Sequence, residues 1–324
     1  MKAFQFETVA AGLELRDVPV PEPGHEQVLI AVKAAGLCHS DIHVLNGGGE
    51  AWMRAQSLTL GHEVAGTVVK LGPGASEFPF KTGDRVTVAL LGQPVIDRDF
   101  QEAIGVGYDG GYAEFAVAYC KQLVKIPAGV SFAQAAVATD SVATAYHAVM
   151  CEAKVAKSTR VAVIGLGGLG LNGVAIAAIQ GAEVYGVDIN TTKFDQALKA
   201  GAIKCASSLD QFSDIVFDVI FDFAGMQSTI AAAVSTVKLG GCVVLVGLGS
   251  PTIQLETTSI VTRNIQLRGS VSASIDDLHK VLALIAAGSL SPTVQEIPFL
   301  DVPKGLEMLH KNDVNGRLFT IPIR

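Results

Sequence analysis

The sequence predicts a two-domain α/β protein, an antiparallel, barrel-like lobe followed by a parallel sheet wound from βαβ units. Three observations carry this. At 324 residues the chain exceeds what one hydrophobic core usually holds, roughly 250 to 300 residues. Its first 125 residues are short β-rich runs broken by Gly, Pro or Asp every ten or so positions. From about Asp140 the rhythm changes to helix-length apolar segments alternating with compact strands, the pattern of a parallel sheet.

In the first lobe the strands are expected at "EQVLIAVKAAG", "EVAGTVVKLG", "DRVTVALLG" and "GYAEFAVAY". In the second they are expected at "RVAVIG", "EVYGVD", "IKCASS", "DVIFDFAG", "CVVLVGLG" and "IQLRGS". After Gly269 a helix is expected over "IDDLHKVLALIAAG" and a last strand over "GRLFTIPIR". The change between the two lobes is expected near Asp140. No internal repeat or low-complexity linker separates them.

The composition, 49% hydrophobic and 17% charged, excludes a disordered chain. A net charge of −7, with no run of Lys or Arg, leaves no electrostatic footprint for nucleic acid. Cys38, Cys120, Cys151, Cys205 and Cys242 are odd in number and widely spaced, which argues for free thiols in a reducing compartment. The opening has no apolar segment of a secretory signal and the end no targeting tag, so a cytoplasmic protein is expected. The uncharged run Val161 to Ala182 is long enough to suggest a membrane helix, but six glycines and an asparagine speak against one. No membrane partner is expected.

That run opens with "VAVIGLGGLG", in which Gly165, Gly167 and Gly170 form G-x-G-x-x-G between an apolar strand and an apolar helix. The first glycine permits the tight turn, the second lets a pyrophosphate approach the backbone, and the third lets helix and strand pack closely. Alone the pattern is equally a glycine-rich turn. The context decides: "EVYGVD" ends at Asp188, 23 positions after Gly165, where a carboxylate accepts hydrogen bonds from an adenosine ribose. That charge repels a 2′-phosphate, and no arginine follows in "INTTK", so NAD(H) is expected over NADP(H). Gly168, Leu169 and Lys193 join the expected cofactor-binding set.

The stretch "GLCHSDIH" and the later "LGHE" offer a thiol, imidazoles and carboxylates, a donor set zinc prefers. The 24 positions between Cys38 and His62 are no compact finger spacing, so a buried thiol and a core histidine remain the alternatives on spacing alone. Together, "GLCHSDIH", "LGHEVAGTVVKLG", "GDRV", "DGGYAEF", "GLGGLG" and the late "GR" run in the order and spacing of the zinc-dependent medium-chain alcohol dehydrogenases, which the chain resembles over essentially its whole length.

The resemblance implies a GroES-like β-barrel catalytic domain over 1–139 and 273–324, to which the C-terminal segment returns, and a Rossmann domain over 140–272 with a six-stranded, doubly wound parallel sheet. It implies reversible oxidation of a primary or secondary alcohol by hydride transfer to NAD, with one catalytic zinc per subunit. Cys38 and His62 match the first two zinc ligands. Asp140, in "TDSVATAY", stands where the family places a third ligand at the start of the helix entering the nucleotide domain; its alternative is a helix N-cap. Glu63 matches a glutamate able to approach the metal transiently, Arg317 its counter-charge and a pyrophosphate contact, and Asp41 the carboxylate orienting His62. Ser40 matches the first hydroxyl of a proton relay ending at His43, for which a solvated turn histidine is the alternative. His39 matches a pyrophosphate contact, and Val246, Gly247 and Leu248 the strand end facing the nicotinamide.

One departure is plain. Relatives with a second, structural zinc carry four cysteines between "GDRV" and "GGYAEF", and this chain has none there. No structural zinc is expected, and Leu90, Leu91, Val95, Ile96 and Phe100 are expected to hold that lobe by apolar contact. Trp52, Met53, Leu90, Leu91 and Phe115 are candidate walls for a small alcohol or carbonyl substrate. The expected assembly is a homodimer or homotetramer. Two other readings are a zinc-free quinone or enoyl reductase of the same superfamily and a non-enzymatic NAD-binding paralogue; neither explains the joint presence of Cys38, His62 and Asp140.

Overall fold

In a computed structural model describing residues 1–48, 52–90 and 92–322, the chain divides into two units, Met1–Ala143 with Ser272–Arg324, and Thr144–Val271. The first unit contains β1 (Lys2–Phe6), β2 (Leu13–Asp17), β3 (Gln27–Gly36), α1 (His39–Leu45), β4 (Leu58–Thr59), β5 (Glu63–Leu71), β6 (Arg85–Val88), β7 (Phe115–Tyr119), β8 (Leu123–Lys125) and α2 (Phe132–Val137). It is completed by α8 (Ile275–Ala286), β15 (Val294–Ile297), α9 (Val302–His310) and β16 (Arg317–Thr320).

Strand β3 is the hub of this unit. Along one edge it pairs with β5, and its other edge is shared by β7 at Gln27–Ala31 and β16 at Ala35 and Gly36. A strand paired and covered this way reads as a nearly continuous apolar run, which is why "VLIAV" does not alternate. Irregularities at Leu29/Ile30 and Val32/Ala34 bend the β3–β5 ladder. The sheet order is β15-β16-β3-β5-β6-β8, antiparallel except for the parallel pair β15–β16. A smaller antiparallel sheet runs β2-β1-β4. Ile30, Leu60, Val64, Val86, Ile104, Tyr112 and Leu318 fill the core.

The second unit contains α3 over most of Ala143–Tyr146, then β9 (Arg160–Ile164), α4 (Gly168–Ile179), β10 (Glu183–Val187), α5 (Phe194–Lys199), β11 (Lys204–Ala206), β12 (Val219–Asp222), α6 (Gln227–Thr236), β13 (Cys242–Leu245), α7 (Thr257–Thr262) and β14 (Gln266–Gly269). All ladder pairs are parallel in the order β11-β10-β9-β12-β13-β14, the doubly wound arrangement in which the winding reverses beside the first strand. Tyr185, Phe212 and Phe217 meet edge to face, with centroids 5.3 to 6.1 Å apart, against Ala162, Ile164 and Ile220.

Several expectations are corrected. The helix carrying Asp140 begins at Phe132, capped by Ser131, and Asp140 lies inside the π-helical stretch Ala138–Val142 that continues it, so it is no N-cap. Asp140 belongs to the first unit, not to the start of the second. Val95 and Ile96 do not hold their lobe: they form a short turn after Pro94 and are 56% and 91% exposed. The anchors are the buried Ala103 and Ile104, with the buried Gln122 donating to the Glu102 carbonyl and accepting from the Tyr108 hydroxyl at 2.8 Å. Leu90 does pack on the core, and the Phe100 ring lies tilted against Trp52 with centroids 5.2 Å apart; Leu91 lies outside the described residues. The uncharged run from Val161 is strand β9, the glycine turn and a twelve-residue helix, and no helix among the described residues is long and apolar enough to cross a membrane.

Candidate metal centre and nucleotide turn

The candidate metal centre lies wholly within the first unit. Cys38 caps α1 in extended conformation, its Sγ accepting from Ser40 N–H at 3.5 Å while its own N–H donates to Asp41 Oδ2 at 3.1 Å. This capping box fixes the thiol at the entrance of the helix and turns Asp41 inward. His62 follows Gly61, whose φ of +94° requires glycine and whose missing Cβ leaves room for the Tyr112 ring; a Cβ there would lie 2.6 Å from it.

His62 Nδ1 faces Asp41 Oδ1 at 3.2 Å, so the ring donates to the carboxylate and turns Nε2 toward Asp140 Oδ2, 3.5 Å away. Asp140 Oδ2 is 3.4 Å from Cys38 Sγ. Zinc bonds of about 2.0–2.3 Å in a tetrahedron put neighbouring ligand atoms roughly 3.4–3.6 Å apart. The thiol, imidazole and carboxylate therefore fit three corners of such a site, with all three donor atoms within 4.8 Å of one another. Burial opposes charge on His62, but Asp41, Cys38 and Asp140 outweigh it and raise its pKa well above the ordinary imidazole range. The field that holds a proton there suits a divalent cation equally.

Glu63 and Arg317, both fully or nearly buried, lie beside this triad. Arg317 Nη2 donates to Glu63 Oε1 at 2.6 Å and its Nε to Oε2 at 3.2 Å; Nη2 also lies 3.3 Å from Asp140 Oδ2. Ser141 N–H is a third donor to Glu63, 3.2 Å from Oε1. Burial pushes the Glu63 carboxyl up to about 7 against the pull of Arg317, with Asp140 adding to the rise. Arg317 is thus placed as the counter-ion of two carboxylates.

Ser40 is half-buried with Oγ 3.5 Å from Cys38 Sγ. His43 is exposed, and its ring sits on Trp52 with centroids 5.4 Å apart. Residues 40 and 43 are three apart on α1 and so share a face. His39, also exposed, places Nε2 3.0 Å from the Leu309 carbonyl at the end of α9. Trp52, Met53 and Leu90 lie partly buried against the core.

In the second unit the glycine loop is built as its spacing requires. Gly165 turns the chain at φ +85° while its N–H still donates to Val187. A Cβ on Gly170 would lie 1.8 Å from the Gly165 carbonyl, so α4 can pack on the turn only with glycine there. Gly167, the N-cap of α4, has nothing within 4 Å of such a Cβ, leaving its backbone open to a ligand. Gly168 accepts from Asn172, and Leu169 lies in the first turn of α4. The Asp188 carboxylate accepts from Leu166 N–H at 2.7 Å and Asn190 N–H at 2.8 Å, with Lys193 Nζ 3.4 Å away and buried. Val246 and Gly247 continue β13 by donating to the Asp222 carbonyl at 3.0 Å each, and Leu248 beyond them is exposed.

Three supporting groups were not anticipated from sequence: Tyr112, whose hydroxyl donates to Asp41 Oδ2 at 2.7 Å; Ser141, through its N–H; and Asp222, whose carboxylate accepts from Ala224 N–H, Gly225 N–H and Thr229 Oγ1 and shapes the loop after β12. Only "GGYAEF" and "FDFAG", a polar group inside an apolar run, hinted at Tyr112 and Asp222.

Residues 24–128 match the alcohol dehydrogenase GroES-like domain, and residues 168–287 the zinc-binding dehydrogenase domain. The chain is 30% identical to an alcohol dehydrogenase of Geobacillus stearothermophilus, covering 98% of both proteins, and 30% identical to an NAD-dependent alcohol dehydrogenase of Sulfurisphaera tokodaii, covering 99% of this chain and 100% of that one. Among solved structures it is similar to acetophenone reductase from Geotrichum candidum in complex with NAD, at 33% identity and a TM-score of 0.90 over 99% of this chain and 96% of that one. Matches along both units and near-complete coverage of these relatives agree with the donor triad and the glycine turn: the chain belongs to the medium-chain, zinc-dependent family of NAD-linked alcohol dehydrogenases.

Proposed function

We propose that this chain oxidises secondary alcohols to ketones, and reduces the ketones in return, with NAD(H) as hydride partner and one zinc per subunit held by Cys38, His62 and Asp140. The observation that carries the reading is the convergence of those three donors at distances matching the edges of a zinc tetrahedron. A zinc ion bound there supplies Lewis acidity, which makes a hydroxyl easier to deprotonate near neutral pH. Asp41 fixes the ring of His62, and the Arg317 guanidinium keeps Glu63 and Asp140 from repelling each other. Ser40, beside Cys38, is the first hydroxyl of a proton relay, accepting the alcohol proton as it hands on its own, and His43 on the same helix face ends the relay by releasing a proton to solvent. Gly167 and the first turn of α4 receive the pyrophosphate; Asp188 and Lys193 receive the adenosine ribose. His39 is the further pyrophosphate contact, and Val246, Gly247 and Leu248 meet the nicotinamide.

Secondary substrates are favoured because Ser40 puts only a small hydroxyl side chain beside Cys38, and because one similar structure is an acetophenone reductase. The five cysteines form no disulfide, which fits a cytoplasmic enzyme, and a homo-oligomer is the proposed assembly. The zinc-free and non-enzymatic readings leave the donor triad without a purpose. Zinc-loaded protein assayed with primary, secondary and aromatic alcohols and both nicotinamide cofactors should show the highest kcat/KM for secondary alcohols with NAD. Absence of any alcohol-dependent change in cofactor absorbance sinks the proposal.

A further inference from the structure

We propose that Tyr112 is a positioning residue for the metal centre, acting through Asp41 on His62. The inference rests on the reading of Cys38, His62 and Asp140 as metal ligands. Tyr112 is fully buried, and its hydroxyl lies 2.7 Å from Asp41 Oδ2 and 3.2 Å from the Gly36 carbonyl. One proton can serve only one of these acceptors, and the shorter contact to the carboxylate takes it.

Asp41 is itself buried and collects three donors: Cys38 N–H and the Tyr112 hydroxyl on Oδ2, and His62 Nδ1 on Oδ1. Two of the three come from proposed ligands, so the orientation of this one carboxylate sets the cap that presents Cys38 and the ring that presents His62. The cap alone does not pin it, because Cys38 N–H is 3.1 Å away while Tyr112 is 0.4 Å closer. The Tyr112 ring is fixed in turn against Gly61, immediately before His62. Burial first, and then the charge of Asp41, hold the phenol pKa well above its usual value, so it remains a donor throughout the neutral range. Removing the hydroxyl frees Oδ2 and loosens both ligands without touching either.

The test is metal retention. Metal-free chain is titrated with zinc against a chromophoric chelator and with cobalt by visible absorption, in wild type, Tyr112→Phe, Asp41→Asn and the double variant. Tyr112→Phe should bind zinc about 10-fold more weakly, the scale of a supporting hydrogen bond behind a metal ligand, and shift the cobalt bands. In the Asp41→Asn background the same change should add less than twofold, because the link is already cut. Urea unfolding of the metal-free variants checks folding of the first unit, and NADH binding by the separately built glycine turn should be unaltered in each. If Tyr112→Phe folds poorly, 3-fluorotyrosine at position 112 keeps the donor, makes it more acidic and should move the cobalt bands in the opposite sense. Wild-type zinc affinity in Tyr112→Phe, full additivity with Asp41→Asn, or unmoved cobalt bands in the fluorinated chain overturns the proposal. If wild type binds no zinc, or Cys38→Ala binds it as wild type does, the ligand reading itself fails instead.

Discussion

The guanidinium of Arg317 grips both carboxylate oxygens of Glu63, at 2.6 and 3.2 Å, inside the first unit, with the two side chains 3% and 0% exposed. A buried pair of this kind contributes little over an apolar replacement, but breaking it leaves a charge without a partner. Arg317→Met should destabilise the metal-free chain by about 3–5 kcal/mol, since Glu63 and Asp140 are both left uncompensated. The paired change Arg317→Met with Glu63→Gln should recover much of that loss. Urea unfolding of wild type, Arg317→Met, Glu63→Gln and the double variant checks it; equal loss in Arg317→Met and the double variant refutes the pairing.

Elemental analysis should find close to one zinc per chain. Cys38→Ala should lose both metal and turnover yet still quench or shift NADH fluorescence, because the nucleotide turn is built separately by residues 160–190. A count near two contradicts the expectation of a single site.

Asp188→Gly should weaken NAD(H) binding about 10-fold or more, the cost of losing hydrogen bonds to a charged acceptor. It should also narrow the preference over NADP(H), because the repelling charge is gone while Lys193, now lacking that partner, remains 5% exposed beside the site. Dissociation constants for both cofactors measure this, and an unchanged ratio counts against the role given to Asp188.

Asp218 ties the ends of β9 and β12 by accepting from Arg160 N–H at 2.7 Å and from Lys238. Burial acts to raise its pKa, yet the Lys238 and Arg160 contacts overcome it and hold the carboxyl below its ordinary value of 3.8. A folded pKa below the unfolded one means the stabilisation is complete above 3.8 and fades as pH falls through the folded value. Asp218→Asn should therefore cost about 1 kcal/mol at pH 7 and progressively less in acid. Denaturation curves at both ends of that range test it, and a gap that widens in acid reverses the sign.

The sequence by itself determined the elements whose signals are local. The parallel sheet was legible because strands buried on both faces read as apolar runs, and the glycine turn because each glycine answers a steric demand at a fixed offset, as Gly170 does against the Gly165 carbonyl. Cys38, His62 and Asp140 were legible only by resemblance, since 24 and 78 positions separate them and nothing local says they meet. Tertiary structure decided the rest. It put Asp140 within a π-helical stretch and in contact distance of Arg317, left Val95 and Ile96 in solvent where apolarity alone suggested burial, and brought the hydroxyl of Tyr112 to Asp41 across 71 positions. Side-chain polarity is written in the sequence, but which buried donor finds which acceptor depends on long-range strand pairing around β3, and that register is fixed only when the whole unit has folded.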